Sequence, residues 1–252
     1  MPIILFTFLL VCFSLFFIPK RFQFITTLIL DIVLIVVSGF AAIRSFFYAG
    51  TIETPFIPLF GKEVNIVIDP ISAFFILVVN LTLFMGILYS KVYLAPYMGK
   101  KTKTEFALHH FSLIVLHISM LLVLSFRDGI SFLVAWELMS VAAFFLVIFE
   151  SENQTTIKAG IKFIIQMHIA FVFLVAAFLL AGIVTDEPFG FASLESYFTT
   201  EPVFPLFLIF FAGFGIKAGF IPLHTWLPHA HPAAPSHISG IMSGVIIKMG
   251  IY

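Results

Sequence analysis

The chain has 252 residues, 61% of them hydrophobic and only 10% charged, with 35 phenylalanines and a mean hydropathy of +1.15, whereas soluble domains carry roughly 45–50% apolar residues. That composition excludes a soluble globular fold, and 13 basic against 13 acidic side chains, with a formal charge of zero and no basic block, exclude a nucleic-acid partner. The single cysteine, Cys12, sits in an apolar run, which excludes a disulfide framework, a cysteine zinc site and an iron–sulfur ligand set, so this chain is expected to carry no cofactor and no electrons.

A transmembrane helix needs about 20 apolar residues to cross a hydrocarbon core of about 30 Å. About eight such runs are predicted on that criterion, over residues 3–18, 24–47, 70–89, 106–126, 130–149, 161–184, 203–220 and 236–252. The expected fold is therefore an all-α polytopic membrane protein. The first run has no basic residue ahead of it and no small-residue cleavage pattern, so it reads as a retained span rather than a removed signal peptide. Lys20 and Arg21 follow it, and Lys100, Lys101 and Lys103 fill the third connection, while Asp186, Glu187, Glu195 and Glu201 mark the sixth. The positive-inside rule then puts the first and third connections in the cytoplasm and the N-terminus outside. The longest connections, residues 48–69 and 185–202, have room only for loops or short surface elements.

An ionisable residue near the bilayer centre costs about 2.5–3.5 kcal/mol on insertion scales, so such groups face the protein interior and mark pathways. In chain order, Asp31 lies deep in the second run without a motif, and Asp69 precedes Pro70 where a carboxylate caps a helix N-terminus. Arg127 and Asp128 occupy the tight turn between the fourth and fifth runs and are expected to form an interfacial pair. Glu137 sits too deep in the fifth run for its short stem to reach the interface; it serves a pathway or is a carboxyl hydrogen-bonded to neighbouring helices. On the sixth run Lys162 and His168 fall on different helix faces. Lys162 can snorkel to the membrane edge or join a path, and His168 can relay protons or bond a carbonyl.

Lys217 lies in a stretch with three glycines that ends at Pro222. Glycine weakens a helix and proline removes a donor, so this seventh span is expected to be broken, a feature of transporters. A long stem leaves snorkelling open as the alternative for Lys217. The segment from Pro222 to His237 holds four prolines and His224, His229, His231 and His237, which makes a short helix and linker at the membrane edge; zinc is the rival use of these histidines, but their spacing repeats on no helix face and no carboxylate or thiolate joins them. Lys248 sits inside the eighth run with no opposite charge there, so a partner is expected elsewhere, and proton carriage is favoured over snorkelling.

Three motifs now stand in successive runs: Phe132-Leu-Val-Ala-Trp-Glu-Leu-Met-Ser140, then Lys217-Ala-Gly-Phe-Ile-Pro-Leu-His-Thr-Trp-Leu-Pro-His-Ala-His231, then Ala234-Pro-Ser-His-Ile-Ser-Gly-Ile-Met-Ser-Gly-Val-Ile-Ile-Lys-Met-Gly-Ile-Tyr252. Together they resemble the antiporter-like membrane subunits of complex I and the Mrp-type Na+/H+ antiporters. Within that superfamily the chain is most similar to the large membrane subunit of group 4 membrane-bound hydrogenases and formate hydrogenlyase. The resemblance implies a proton- or cation-translocating, non-catalytic subunit of a redox-driven complex, with Glu137, Lys217 and Lys248 on the proton path, His224 and His231 in the broken region, and Lys162 near a lysine of the family's sixth span; the residue reading adds His168 to that path. In that family the changing separation of the residues matching Glu137 and Lys217 governs the lysine's protonation. It also implies a three-helix segment over residues 1–105 and an antiporter-like domain over 106–252 containing the first of two inverted five-helix repeats. Partners would be other membrane subunits, peripheral redox subunits, lipid, and a source of the second repeat, which these residues do not supply. Two other readings stay open: a stand-alone secondary carrier, for which no added polar pocket is evident, and a non-conducting structural fragment.

Overall fold

The computed structural model describes residues 10–59, 62–186 and 189–252. Most of the first expected span lies outside them; Ser14–Phe16 forms one 3-10 turn that leads into the first long helix. Among the described residues, five helices are long and apolar enough to cross a membrane: α1 (Lys20–Arg44), α2 (Pro70–Leu94), α3 (Lys103–Val123), α4 (Gly129–Val147) and α5 (Gln154–Thr185). A short helix α6 (Phe191–Thr200) precedes the apolar α7 (Val203–Ala218), then α8 (Leu227–Ala233). The chain closes with α9 (Ser236–Ile241), a wide π-type turn over Met242–Ile246, and α10 (Ile247–Met249).

The helix starts are encoded locally. Asp69 accepts from the Ser72 amide at 2.7 Å with Pro70 at the first helical position, as expected for a cap. Thr102 and Glu105 form a reciprocal capping box on α3, and the Asp128 carboxylate takes the Ser131 amide at 2.8 Å on α4. Asp128 therefore does not pair with Arg127, contrary to the sequence expectation. Arg127 Nη2, with two protons to donate, instead lies 2.6 Å from the Asp69 carboxylate, 3.0 Å from Ser72 Oγ and 3.3 Å from the Tyr252 hydroxyl, while Asp128 is taken by the Ser131 amide and hydroxyl.

The connection over residues 48–69 also departs from the all-α expectation. Ile52–Leu59 (β1) and Lys62–Ile68 (β2) pair as an antiparallel hairpin, and Val67 reaches across to the Ser125 carbonyl at 2.8 Å. Proline at 55 and 58 suits such an isolated edge. At the same end, Asp128 bridges Gly190. At the opposite end Lys20 donates to the carbonyls of Met98 and Lys101, and Lys101 bonds Glu152 at 2.8 Å. The layers around the membrane core thus have a hairpin end and a lysine-rich end.

Helix α3 is the centre of the packing. Its apolar window is 78% buried, against 22% for α1, whose Ile29, Val36 and Phe40 face outwards. The buried face of α3 includes His109, His110, Ser112, His117 and Ser119. These polar groups inside an apolar bundle must find partners, because hydrocarbon offers none.

Candidate functional site

The site is built where α7 stops. Gly219 takes the left-handed conformation at φ 70°, its amide reaches the Ile216 carbonyl at 3.2 Å, and the Phe220 amide reaches Gly215 at 2.9 Å. This is a Schellman termination, which needs glycine at that position. The break leaves helix carbonyls to satisfy, and the buried Trp226 indole donates to the Ile216 carbonyl at 2.7 Å while packing on Phe163. Gln166 on α5 donates to Thr225 at 2.5 Å, tying the interrupted segment to its neighbour. The seventh span is interrupted as the glycines and Pro222 suggested, and the chain resumes as α8.

Lys217 sits in the last turn of α7, at the negative end of the helix dipole. It is fully buried (0% exposed), which overturns the snorkelling alternative. Its Nζ donates to Ser140 Oγ at 2.8 Å and lies 5.2 Å over the Trp136 ring. Trp136 is itself fixed between Phe132 and Phe214, with ring centroids 5.6 and 5.4 Å away. Both contacts come from α4, on either side of Glu137: Ser140 lies one turn along and Trp136 is the preceding residue.

The direct ionic contact of Glu137 is nonetheless with another residue. Its Oε1 lies 3.0 Å from His168 Nε2, outside hydrogen-bond direction, with Glu137 22% and His168 55% exposed. His168 Nδ1 lies 2.9 Å from the Ile164 carbonyl, an acceptor, so Nδ1 carries a proton. His168 therefore bonds a carbonyl, one of the two readings the sequence offered, and also faces the Glu137 carboxyl.

The remaining expected residues spread along the interruption. His224 is half-buried with Nδ1 lacking a partner among the described residues. His231 Nδ1 pairs with Ser239 Oγ at 2.7 Å. Lys162 lines an open cleft of about 730 Å³ at the lysine-rich end, with Tyr93, Glu150, Lys158, His229 and Ser236. Lys248 differs from expectation: it is exposed on the outer face, and its ammonium is taken by the Ser243 carbonyl of its own helix. The π-type turn over Met242–Ile246 redirects the carbonyls of that segment, and carbonyls carry no signature in a charge pattern.

Two polar groupings escaped the sequence reading. His109 Nε2 and His237 Nε2 are 2.9 Å apart, His110 meets His109 edge-to-face with ring centroids 5.8 Å apart, and Tyr93 packs against His237. The second joins α1, α2 and α3: His117 Nδ1 lies 2.7 Å from Asp31 Oδ1, and His117 Nε2 lies 2.9 Å from Asn80 Oδ1. The usable signal was the three histidines of α3 at positions 109, 110 and 117, polar groups too deep in an apolar run to remain unpaired.

Comparison with known proteins follows this geometry. Residues 127–252, half the chain and including Glu137, Lys217 and Lys248, match the family described as NADH:quinone oxidoreductase/Mrp antiporter, transmembrane. Hydrogenase-4 component B of Escherichia coli (strain K12) is 38% identical over 204 residues, 80% of this chain and 30% of that protein. NAD(P)H-quinone oxidoreductase chain 4 2 of Microcystis aeruginosa is 30% identical over 200 residues, 78% of this chain and 34% of that protein. The chain thus spans 30% and 34% of the lengths of these two curated relatives. A chain in the structure of the membrane-bound sulfane sulfur reductase, an archaeal respiratory membrane complex, superposes on all of this chain and 39% of its own length, with a TM-score of 0.76 at 21% identity. That likeness is one of fold.

Proposed function

The chain belongs to the NADH:quinone oxidoreductase/Mrp antiporter transmembrane family, and from that premise we propose that it forms part of a proton- or cation-translocating membrane subunit in a redox-driven complex of the hydrogenase or quinone-reducing type. The observation that carries this reading is Lys217, a fully buried lysine at the end of an interrupted helix, held by Ser140, three residues along α4 from Glu137. A buried ammonium with a single hydroxyl donor-acceptor partner is expensive to keep charged and inexpensive to discharge. A group with that property suits loading and unloading of one proton per cycle.

The surrounding geometry supports a path with Glu137 and His168 on one side of Lys217 and the polar cleft at Lys162 on the other. His224 and His231 lie along the interruption between them, and Lys248 presents its ammonium outward, where an adjoining membrane helix or subunit would meet it. The lysine-rich end, with Lys20, Arg21, Lys100, Lys101, Lys103, Lys158 and Lys162, faces the cytoplasm under the positive-inside rule, so the N-terminus lies outside. Partners would be further membrane helices of the family fold and the peripheral subunits that carry electrons.

The test is Glu137→Gln in the assembled complex. Loss of coupled proton movement with electron transfer still measurable is expected, and unaltered pumping in that variant overturns the reading.

A further inference from the structure

Outside the Glu137–Lys217 region, α1, α2 and α3 hold a polar chain that runs inward from half-buried Ser38 through Asn80 and His117 to Asp31. Asp31 and His117 are both 0% exposed, and Asn80 is buried. An ionisable pair placed there carries a desolvation cost of several kcal/mol per ion if charged and unmatched. The arrangement of its hydrogen bonds fixes how many protons it holds.

The count starts at Ser38. Its hydroxyl lies 2.7 Å from the Leu34 carbonyl and 3.2 Å from Asn80 Oδ1; the shorter contact takes its one proton, so towards the nearer Asn80 atom it presents a lone pair. The Asn80 atom facing it at 2.9 Å is accordingly the amide nitrogen, a donor. The amide oxygen then faces His117 Nε2 at 2.9 Å, and since that oxygen only accepts, Nε2 carries a proton. At the other side of the ring, Nδ1 lies 2.7 Å from Asp31 Oδ1. Two lone pairs at that separation repel, so a second proton occupies the gap. The pair is neutral as a unit whether that proton sits on the carboxyl or on the imidazole. The move from one to the other transfers a proton over a fraction of an ångström and changes no net charge.

Asp31 Oδ2 is buried and has no hydrogen-bond partner among the described residues. It is an acceptor left open to a further donor. The other ionisable side chain packed against this region is the thiol of Cys12, in an apolar cluster with Leu30, Ile114 and Ile118; Asn80 and Ser38 complete the polar neighbours from α2 and α1. His117 is the sole side-chain ion-pair partner of Asp31 among the described residues.

We propose that Asp31 and His117 form a second proton-binding site, in the α1–α2–α3 trio, whose shared proton moves between carboxyl and imidazole and exchanges during turnover. Its occupancy follows from the hydrogen-bond count alone; its exchange in turnover rests on the translocation function proposed above. Asn80 is a positioning residue that selects the His117 tautomer.

The experiment uses the full-length complex in lipid, with nitrogen-15 NMR of His117 at equilibrium and redox-triggered infrared difference spectra during turnover. The expected result is a protonated Nε2 and a proton shared at Nδ1, together with a carboxylic C=O difference band that is absent in Asp31→Asn and shifted in Asp31→Glu. The proton-to-electron ratio should fall in Asp31→Asn and recover in Asp31→Glu, which also covers failure of the first variant to assemble. A His117 Nε2 without a proton overturns the occupancy, independently of any pumping. No carboxylic band in the wild type, with an unchanged ratio in Asp31→Asn, overturns the exchange. Failure of the Glu137→Gln test alone removes the translocation reading and leaves the equilibrium result to decide the site.

Discussion

Gly250→Ala separates the placement of Lys217 from its chemistry. Gly250 follows α10 with an ordinary helical φ of −75°, so alanine adds no backbone strain there. A Cβ at this position would lie 2.7 Å from Phe214 O and 2.7 Å from Ala218 N, and 3.1 Å from Ala218 Cα. These are backbone atoms of α7, well inside the roughly 3.5 Å at which non-bonded heavy atoms rest. The helix end bearing Lys217 must move, and overpacking of this kind costs about 1–3 kcal/mol. Gly240→Ala is the control, because a Cβ there meets nothing within 4 Å and replacing a helical glycine gains up to about 1 kcal/mol. The two variants should differ by about 1–4 kcal/mol, or about 2–16 °C in apparent unfolding midpoint for a chain of this size, measured at one fixed heating rate because such unfolding is irreversible. Proton translocation should fall more than electron transfer in Gly250→Ala and stay unchanged in Gly240→Ala. Equal midpoints for the two, or a more stable Gly250→Ala, would refute the packing argument.

Further outcomes follow from the same contacts. Gly219→Ala places a side chain at φ 70° and should cost about 1–2 kcal/mol, read as a lowered unfolding midpoint with a looser helix break. Trp226→Phe keeps the ring but removes the 2.7 Å bond to Ile216; the carbonyl retains the Gly219 amide, so a loss of about 1 kcal/mol is expected, and a neutral result would mean the indole does not anchor the break. Ser140→Ala removes the hydroxyl partner of Lys217 and should impair translocation with electron transfer retained, whereas unchanged pumping would exclude Ser140 from the path. At the hairpin end, partial burial raises the Asp69 carboxyl, but the Ser72 amide and the Arg127 guanidinium outweigh it and hold the group below its ordinary value. A depressed carboxylate stabilises the fold above its unfolded pKa of about 4, and that contribution is lost as pH falls through the lower folded value. Asp69→Asn should therefore flatten the midpoint-against-pH curve on the acid side, and an unchanged slope would show that Asp69 does not contribute.

By itself the sequence determined the membrane class, the five long helices from α1 to α5, the caps at Asp69 and the interruption after Lys217, because each rests on local physics: apolar length against bilayer thickness, an acceptor before a helix, glycine and proline within one. It also singled out Glu137 and Lys217, since a charge deep in an apolar run is anomalous wherever the chain goes. What charge pattern could not supply was partnership. Only the tertiary structure decided that Lys217 meets Ser140 while Glu137 meets His168, that Arg127 bonds Asp69 and not its neighbour Asp128, and that Lys248 is capped by its own helix. Asp31 and His117 lie 86 residues apart, and Asn80 sits on a third helix, so no window of sequence holds their hydrogen-bond chain. Hydrocarbon penalises a buried polar group without a partner, but which partner it finds depends on how helices distant in sequence come to lie side by side.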